Sequence, residues 1–199
     1  MTTKFPSLTE YIDKLPNGLD SYPECEQKGS VLRALLSMWP ELPTLAPDLP
    51  PVLGRLVTEP PPPNLWVPEC HGMALWALSC DVVCNNEVAK YIEFSRKGNR
   101  ALLSNPIYRI IFGVLGARLT VRAIATAWST FHRGMNIEVE LSARGGTFSL
   151  NYPPQLLSEP HAHGYSTAFV EALIIAGYSD ARVDVESWTP TKTAYRCTW

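Results

Sequence analysis

The chain has 199 residues, 46% apolar and 18% charged, a composition that supports a packed core rather than a disordered chain. Seventeen basic against nineteen acidic residues leave a formal charge of -2, with no basic excess to neutralise a phosphate backbone, which argues against nucleic acid as a primary partner. No run of about eighteen uncharged apolar residues occurs, and no apolar stretch follows Lys4, so the sequence excludes a helical membrane span and a secretory leader and predicts a soluble cytoplasmic domain.

Residues 1 to about 28, punctuated by Pro6, Pro16, Gly18 and Pro23, read as an extended or loosely packed lead-in. Ser30 to Trp39 reads as a short amphipathic helix carrying Val31, Leu32, Leu35, Leu36 and Trp39, stopped by Pro40. From Pro40 to Pro63 the chain holds nine of its eighteen prolines, ending in Pro60-Pro61-Pro62-Pro63. Each proline removes an amide donor and fixes φ, so this stretch is expected to be an ordered spacer on the domain surface, with a short helix around 48–57. A polyproline adaptor ligand is the competing reading.

Helix signals dominate from Pro68 to His132. Pro68 suits a first turn, and His71, Leu75 and Leu78 follow at i, i+4 and i+7. Asn85 or Asn86 is expected to cap a second helix with Val88, Tyr91, Ile92 and Phe94, ending at Lys97-Gly98. Asn105-Pro106 opens a third, with Ile107, Ile110, Ile111, Val114 and Leu115 before Gly116. A fourth runs from Arg118 to about Phe131 with Val121, Ile124, Ala125 and Trp128 on one stripe and Arg118 and Arg122 on another, ending at Gly134.

Beyond Gly134 the apolar period drops from about 3.6 to 2. Ile137, Val139 and Leu141 alternate with polar residues, then Arg144-Gly145-Gly146, then Phe148, Leu150 and Tyr152, which is a hairpin closed by Pro153-Pro154. His161 to Tyr178 follows as a helix whose body carries a single charge, Glu171, and whose Phe169, Val170, Leu173, Ile174 and Ile175 require burial on more than one side. Val183 and Val185, then Tyr195, Cys197 and Trp199, form a second hairpin across Pro190, placing the last strand within the sheet. The predicted fold is therefore α+β: a helical layer on a four-stranded antiparallel sheet in carboxyl-terminal ββαββ order. The proline-rich lead-in, residues 1–64, carries one or two short helices packed on the main domain, residues 65–199.

Five cysteines, Cys25, Cys70, Cys80, Cys84 and Cys197, make an odd count that predicts free thiols in a reducing compartment. Without a CxxC pair they read as buried structural residues rather than a metal site. His161 and His163 form an HxH at an exposed helix entry beside Glu159, Pro160 and Tyr165, able to bind a metal only if a third ligand arrives from elsewhere. Glu138 and Glu140 read as a solvated strand face. No metal and no cofactor is assigned, because phosphate loops, nucleophile elbows and dinucleotide fingerprints are absent.

The run Asn105-Pro-Ile-Tyr-Arg-Ile-Ile-Phe, the segment Trp128-Ser-Thr-Phe-His-Arg-Gly-Met-Asn, the helix end Ala176-Gly177-Tyr178, and the closing Tyr195-Arg196-Cys197-Thr198-Trp199 resemble a myxobacterial paralogous family of unknown function. The helices-then-ββαββ order is similar to a wider group: 4-vinyl-reductase-type sensor domains, TRAPP trafficking subunits and, more loosely, haem nitric-oxide-binding domains. That resemblance covers residues 65–199. It implies an often dimeric domain with an apolar ligand site between helices and sheet, reporting to a partner protein. The haem-binding Tyr-x-Ser-x-Arg element is not matched by Tyr91-Ile92-Glu93-Phe94-Ser95-Arg96, so haem is not carried over.

Six tryptophans and eight tyrosines supply ring surface of the kind that lines small-molecule pockets. Trp66, His71, Trp76, Tyr91, Trp128, Phe131, Phe148 and Tyr152 are the expected ligand-binding residues, each on an element that should face the interior. His71 sits on the stripe of Leu75 and Leu78 and His132 at a helix end, where an imidazolium would meet the carbonyl dipole. Three roles follow: a sensor or interaction domain for a small hydrophobic molecule, relaying to a partner protein; a cofactor-free isomerase- or cyclase-like enzyme with His71 or His132 as proton carrier; or a structural homodimer or scaffold without a small ligand.

Overall fold

The computed structural model describes residues 4–104, 128–142 and 145–199. The expected helix from Asn105 to Gly116, the expected helix from Arg118 as far as residue 127, and Arg144 of the glycine turn lie outside the described residues.

The amino-terminal segment is not an extended lead-in. Helix α1 (Pro6–Lys14) opens on a proline whose missing amide hydrogen has no helical partner at that position. Its first turn has no side-chain cap of its own. Instead the Asp81 carboxylate reaches across, Oδ1 accepting from the Ser7 amide at 2.9 Å and Oδ2 from the Leu8 amide at 3.1 Å. Phe5, Leu8, Tyr11 and Leu15 enter the main core, and the Tyr11 hydroxyl donates to the Leu156 carbonyl at 2.9 Å. Three apolar positions in an otherwise polar nine-residue helix are too few to stand out as a stripe, which is why this helix was hidden.

Strand β1 (Glu26–Lys28) runs straight into helix α2 (Gly29–Met38). Here the polyproline stretch has a structural task. The Gly29 amide donates to the Leu65 carbonyl at 2.7 Å and the Ser30 amide to the Pro63 carbonyl at 3.0 Å, so the backbone after Pro62 caps α2. A Cβ on Gly29 would stand 2.4 Å from the Pro62 carbonyl oxygen, so only glycine permits this approach. Upstream, a 3₁₀ segment (Leu42–Asp48) and helix α3 (Pro51–Thr58) bury Leu42, Leu53 and Val57, which makes this spacer part of the core.

Strand β2 (Trp66–Pro68) leads into helix α4 (Glu69–Val82), buried on most sides through Cys70, Met73, Ala74, Leu75, Ala77 and Leu78. Asn85 and Asn86 do not cap the next helix. They turn the chain with φ of 51° and 59°, and Glu87 occupies the N-cap of helix α5 (Val88–Leu103). Nor does α5 stop at Gly98. A Cβ there would meet Met38 Cε at 2.4 Å, so this glycine marks the close crossing of α2 and α5.

After a helical turn over 128–131, strand β3 (His132–Arg133) pairs with β1, which also pairs with β2, both antiparallel. Gln27 faces Val67 on one side and His132 on the other in this three-stranded sheet. Strands of two or three residues are too short to display alternation, and the sheet was not foreseen.

The four-stranded antiparallel sheet is the expected one. Strands β4 (Asn136–Leu141), β5 (Gly145–Asn151), β6 (Arg182–Thr189) and β7 (Lys192–Thr198) lie in the order β4-β5-β7-β6, with a bulge between Val185 and Ser187. Its inner face presents Phe148, Leu150, Val183, Tyr195 and Cys197 to helix α6 (Glu159–Ile175), and Phe169 of α6 stacks on Phe148 at 4.9 Å. Glu138 and Glu140 are exposed, as expected of the solvated face. Glu171 of α6 is buried and paired with Arg96 at 2.7 Å and Arg100 at 3.1 Å, pinning α5 to α6. Among the described residues no helix is long and apolar enough to cross a membrane.

Candidate functional site

The small sheet and the start of α4 bring three polar side chains together inside the protein. Glu69 is wholly buried, its amide donating to the Cys25 carbonyl at 2.8 Å. His132, fixed by β3 directly across, places Nδ1 2.9 Å from Glu69 Oε2, and the Tyr165 hydroxyl of α6 donates to Oε1 at 2.8 Å. A buried carboxylate is tolerable only when such donors replace water, and the first turn of α4 adds the positive end of its dipole. Burial, with the Glu69 carboxylate adding to it, holds the Tyr165 hydroxyl well above the ordinary phenol range, so it stays a donor. His132 directly follows the helical turn over 128–131, and its Nδ1 is taken up by Glu69.

Trp128 stacks on His132 with centroids 4.2 Å apart and an interplanar angle of 22°, and meets Tyr165 edge-on at 5.1 Å. Its indole Nε1 is buried and has no hydrogen-bond partner among the described residues. Beside this stack lies an apolar cleft of about 70 Å³ between α5 and α6, walled by Leu102, Leu103, Trp128, Phe131 and Phe169 and bordered by His132, Tyr165 and Asn99.

Across Asn99 and Tyr165 is a second cavity of about 30 Å³, lined also by Trp76, Tyr91, Ser95, His161 and Gly164. Asn99 Nδ2 donates to Thr167 Oγ1 at 2.8 Å, holding its side chain between the two spaces. A third space of about 310 Å³ is a more polar groove between α1 and the start of α6, where Glu10, Lys14, Glu87 and Glu159 stand around Tyr91 and Trp188.

His161 is not at an exposed helix entry, as the HxH pattern suggested. It is buried as the third residue of α6, where Ser158 donates its amide to His161 Nδ1 at 3.1 Å and its side chain faces the N3 amide, a capping box with histidine in place of the usual Glu or Gln. Burial pushes its pKa down to about 3, so the ring is neutral and its proton sits on Nε2. Among the described residues no three His, Cys, Asp or Glu side chains are grouped to hold a metal ion. All five cysteines are free and buried, as the sequence predicted. Burial pushes the thiols of Cys25 and Cys80 up to about 12 and those of Cys70, Cys84 and Cys197 up to about 11, which disfavours the thiolate a metal or an oxidant needs.

The eight expected ligand-binding residues do not converge on one cavity. Trp128 and Phe131 line the cleft, together with His132; Trp76 and Tyr91 line the small cavity. Phe148 is wholly buried core. Tyr152 bonds through its hydroxyl to Thr193 Oγ1 at 2.8 Å and the Thr189 carbonyl at 2.9 Å, bridging β6 and β7. Trp66 lies on the three-stranded sheet with Lys28 Nζ 4.2 Å and Arg133 Cζ 3.8 Å from its ring centroid, two cation-π contacts. His71 is half-buried with Nε2 3.0 Å from the Leu19 carbonyl, and burial lowers its pKa. Glu69, Ser95, Asn99 and Phe169 were not among the expected site residues, and Tyr165 was read as exposed. For Glu69 a signal existed, since it is the one acid opening an otherwise apolar helix.

No protein-family model matches the chain, and no curated protein is detectably similar to it.

Proposed function

We propose that this chain is a cytoplasmic binding domain that holds a small hydrophobic or aromatic molecule between α5 and α6 and relays its presence to a partner protein. The observation that carries this reading is the cleft itself: among the described residues, rings of Trp128, Phe131 and Phe169 stand around unfilled space, beside a buried indole N–H that finds no acceptor among those residues. Unfilled apolar volume is destabilising in a core, and an orphaned donor adds to the cost, so a feature combining both is suited to a guest. Five free thiols support a reducing compartment. A cavity of roughly 150 Å³ accommodates a benzene ring, so this cleft limits the guest to a single ring, part of it outside the walls.

Titrating the full chain with benzene while recording amide and aromatic NMR spectra tests the reading. Shifts confined to Trp128, Phe131, Ala168, Phe169 and Ala172 are expected, and Ala168→Ile, which fills the cleft, abolishes them. A spectrum that benzene leaves unchanged removes the proposal.

The Glu69–His132 contact favours a second reading, a cofactor-free enzyme. A carboxylate that accepts from Nδ1–H leaves Nε2 as the basic nitrogen, and His132 borders the cleft. Such a base would exchange the α protons of cyclohexanone in D₂O above the buffer rate, and His132→Gln would return the rate to that of buffer. No excess exchange with the unmodified chain retires this reading.

A further inference from the structure

The groove between α1 and the start of α6 shares no lining residue with the cleft among the described residues. Its volume of about 310 Å³ is of the size that small-molecule sites begin at, and exceeds the roughly 150 Å³ that holds a benzene ring. The floor is apolar. Tyr11, Ala77, Cys80 and Tyr91 line it and are buried, and both tyrosine hydroxyls are already engaged, Tyr11 with the Leu156 carbonyl and Tyr91 with Ser95. What they leave to the groove is ring and alkyl carbon.

One wall is a ring that the backbone is bent to deliver. In β6, Val183 and Val185 stand opposite Cys197 and Tyr195, on the face turned to α6. Unbroken alternation would send Trp188 to the other face. The bulge between Val185 and Ser187 adds one residue, so Trp188 pairs with the buried Thr193 and returns to the side of α6. Its Nε1–H donates to the Leu157 carbonyl at 3.3 Å, which fixes the half-buried indole two residues before Glu159.

The rim sets the charge. Glu10, Glu87 and Glu159 line the groove and are exposed. Glu10 is paired with Lys14 and Glu87 with Lys90, whereas Glu159 has no ion-pair partner among the described residues. The dipole of α6 favours an acid in its first turn, but it does not account for a bulge that brings Trp188 beside that acid. One uncompensated carboxylate and one indole face both attract a cation, and the floor beneath them takes hydrocarbon.

We propose that the groove is a small-molecule site distinct from the cleft, for a singly charged arylalkylammonium. The aryl ring lies on Tyr11, Cys80 and Tyr91, and the ammonium group is held by the Glu159 carboxylate and the face of the Trp188 ring.

Phenethylammonium, phenethyl alcohol and hydrocinnamate carry one ring on short chains that end positive, neutral and negative. Each is titrated into the full chain while the Trp188 indole and Tyr91 ring resonances are followed by NMR. Phenethylammonium is expected to bind about three- to tenfold more tightly than the alcohol, and hydrocinnamate more weakly than both. Glu159→Gln, a change of charge at an exposed position, is expected to bring the ammonium within about twofold of the alcohol and to leave the alcohol within about twofold of its original value. Trp188→Leu is expected to weaken the ammonium by about threefold or more; should that variant fail to fold, the ligand order and Glu159→Gln decide alone. The alcohol or hydrocinnamate binding as tightly as the ammonium overturns the proposal, as does a preference for the ammonium that survives Glu159→Gln. Shifts centred on Trp128 instead of Trp188 would place the ligand in the cleft and overturn it equally, and so would no shift at all. The cleft reading stands or falls separately, because benzene reports on it at Trp128 and Phe131.

Discussion

The two sheets of this protein solve the problem of an interior in opposite ways. The four-stranded sheet is built from two hairpins and turns an apolar face to α6, where Phe148, Leu150 and Tyr195 are fully buried against Phe169. The three-stranded sheet gathers residues 26–28, 66–68 and 132–133, and what it sets against Glu69, the first residue of α4, is polar: His132, buried with it and bonded to it. One is stabilised by removing hydrocarbon from water, a force without direction. The other depends on each donor finding its acceptor across a long loop, which is directional and unforgiving. The first should tolerate substitutions that keep volume; the second should tolerate only those that keep or abolish the whole network.

Loss of a core ring in the large sheet and loss of Glu69 beside the small one give the largest expected effects. Phe148→Ala should cost about 3–5 kcal/mol in urea unfolding, whereas Leu150→Met should cost less than about 1.5 kcal/mol. Equal losses would show that the large sheet, too, depends on specific contacts. In the small sheet, Glu69→Ala strands the partners of a buried charge and should cost about 3–5 kcal/mol. The double replacement Glu69→Leu with His132→Phe should be less damaging than Glu69→Leu alone, because it removes both ends of the pair. Simple additivity in that double-mutant cycle would dissolve the contrast.

The pH profile sharpens it further. His161 binds a proton near pH 3 in the native state but near 6.5 when unfolded, so the unfolded chain takes up a proton that the native chain refuses between those values. Stability contributed by the neutral ring is complete above about pH 6.5 and declines as pH falls towards 3, by up to about 1.4 kcal/mol per pH unit, and His71 acts in the same direction. Unfolding measured across this window should show a shallower decline in His161→Phe; an identical slope would place the acid sensitivity elsewhere. The smallest effect is expected for Asp81→Ala, about 0.5–2 kcal/mol, through loss of the cap on α1. Amide hydrogen exchange at Ser7 and Leu8 should rise in that variant, while exchange in β5 and β7 should not.

What could be read from the sequence follows the same division. Period-2 alternation around Val139 and Phe148 and helical spacing around Leu75 and Leu173 are local signals, and they located the large sheet and the long helices. Glu69 meets His132 and Tyr165 from 63 and 96 residues away, and no window of sequence contains both ends of either contact. Aromatic residues announced where ring surface would accumulate, but not what would stand opposite. Trp128, Phe131 and His132 share a cleft because β3 anchors that end of the chain, whereas Trp66 on β2 is covered by Lys28 and Arg133 instead. Gly98 looked like a terminator because its reason for being glycine, Met38, belongs to another helix. The box around His161 escaped notice because a histidine does the work of Glu or Gln.

The position of β7 has a consequence for biosynthesis. It lies between β5 and β6 but leaves the ribosome after both. From the time β5 is made until β7 follows, β5 displays a bare row of amides and carbonyls next to Phe148 and Leu150, and β6, once made, has no partner. Crowded polysomes thus bring together many copies of the same unfinished edge, so the interval between β5 and β7 is when this polypeptide most needs a holding chaperone.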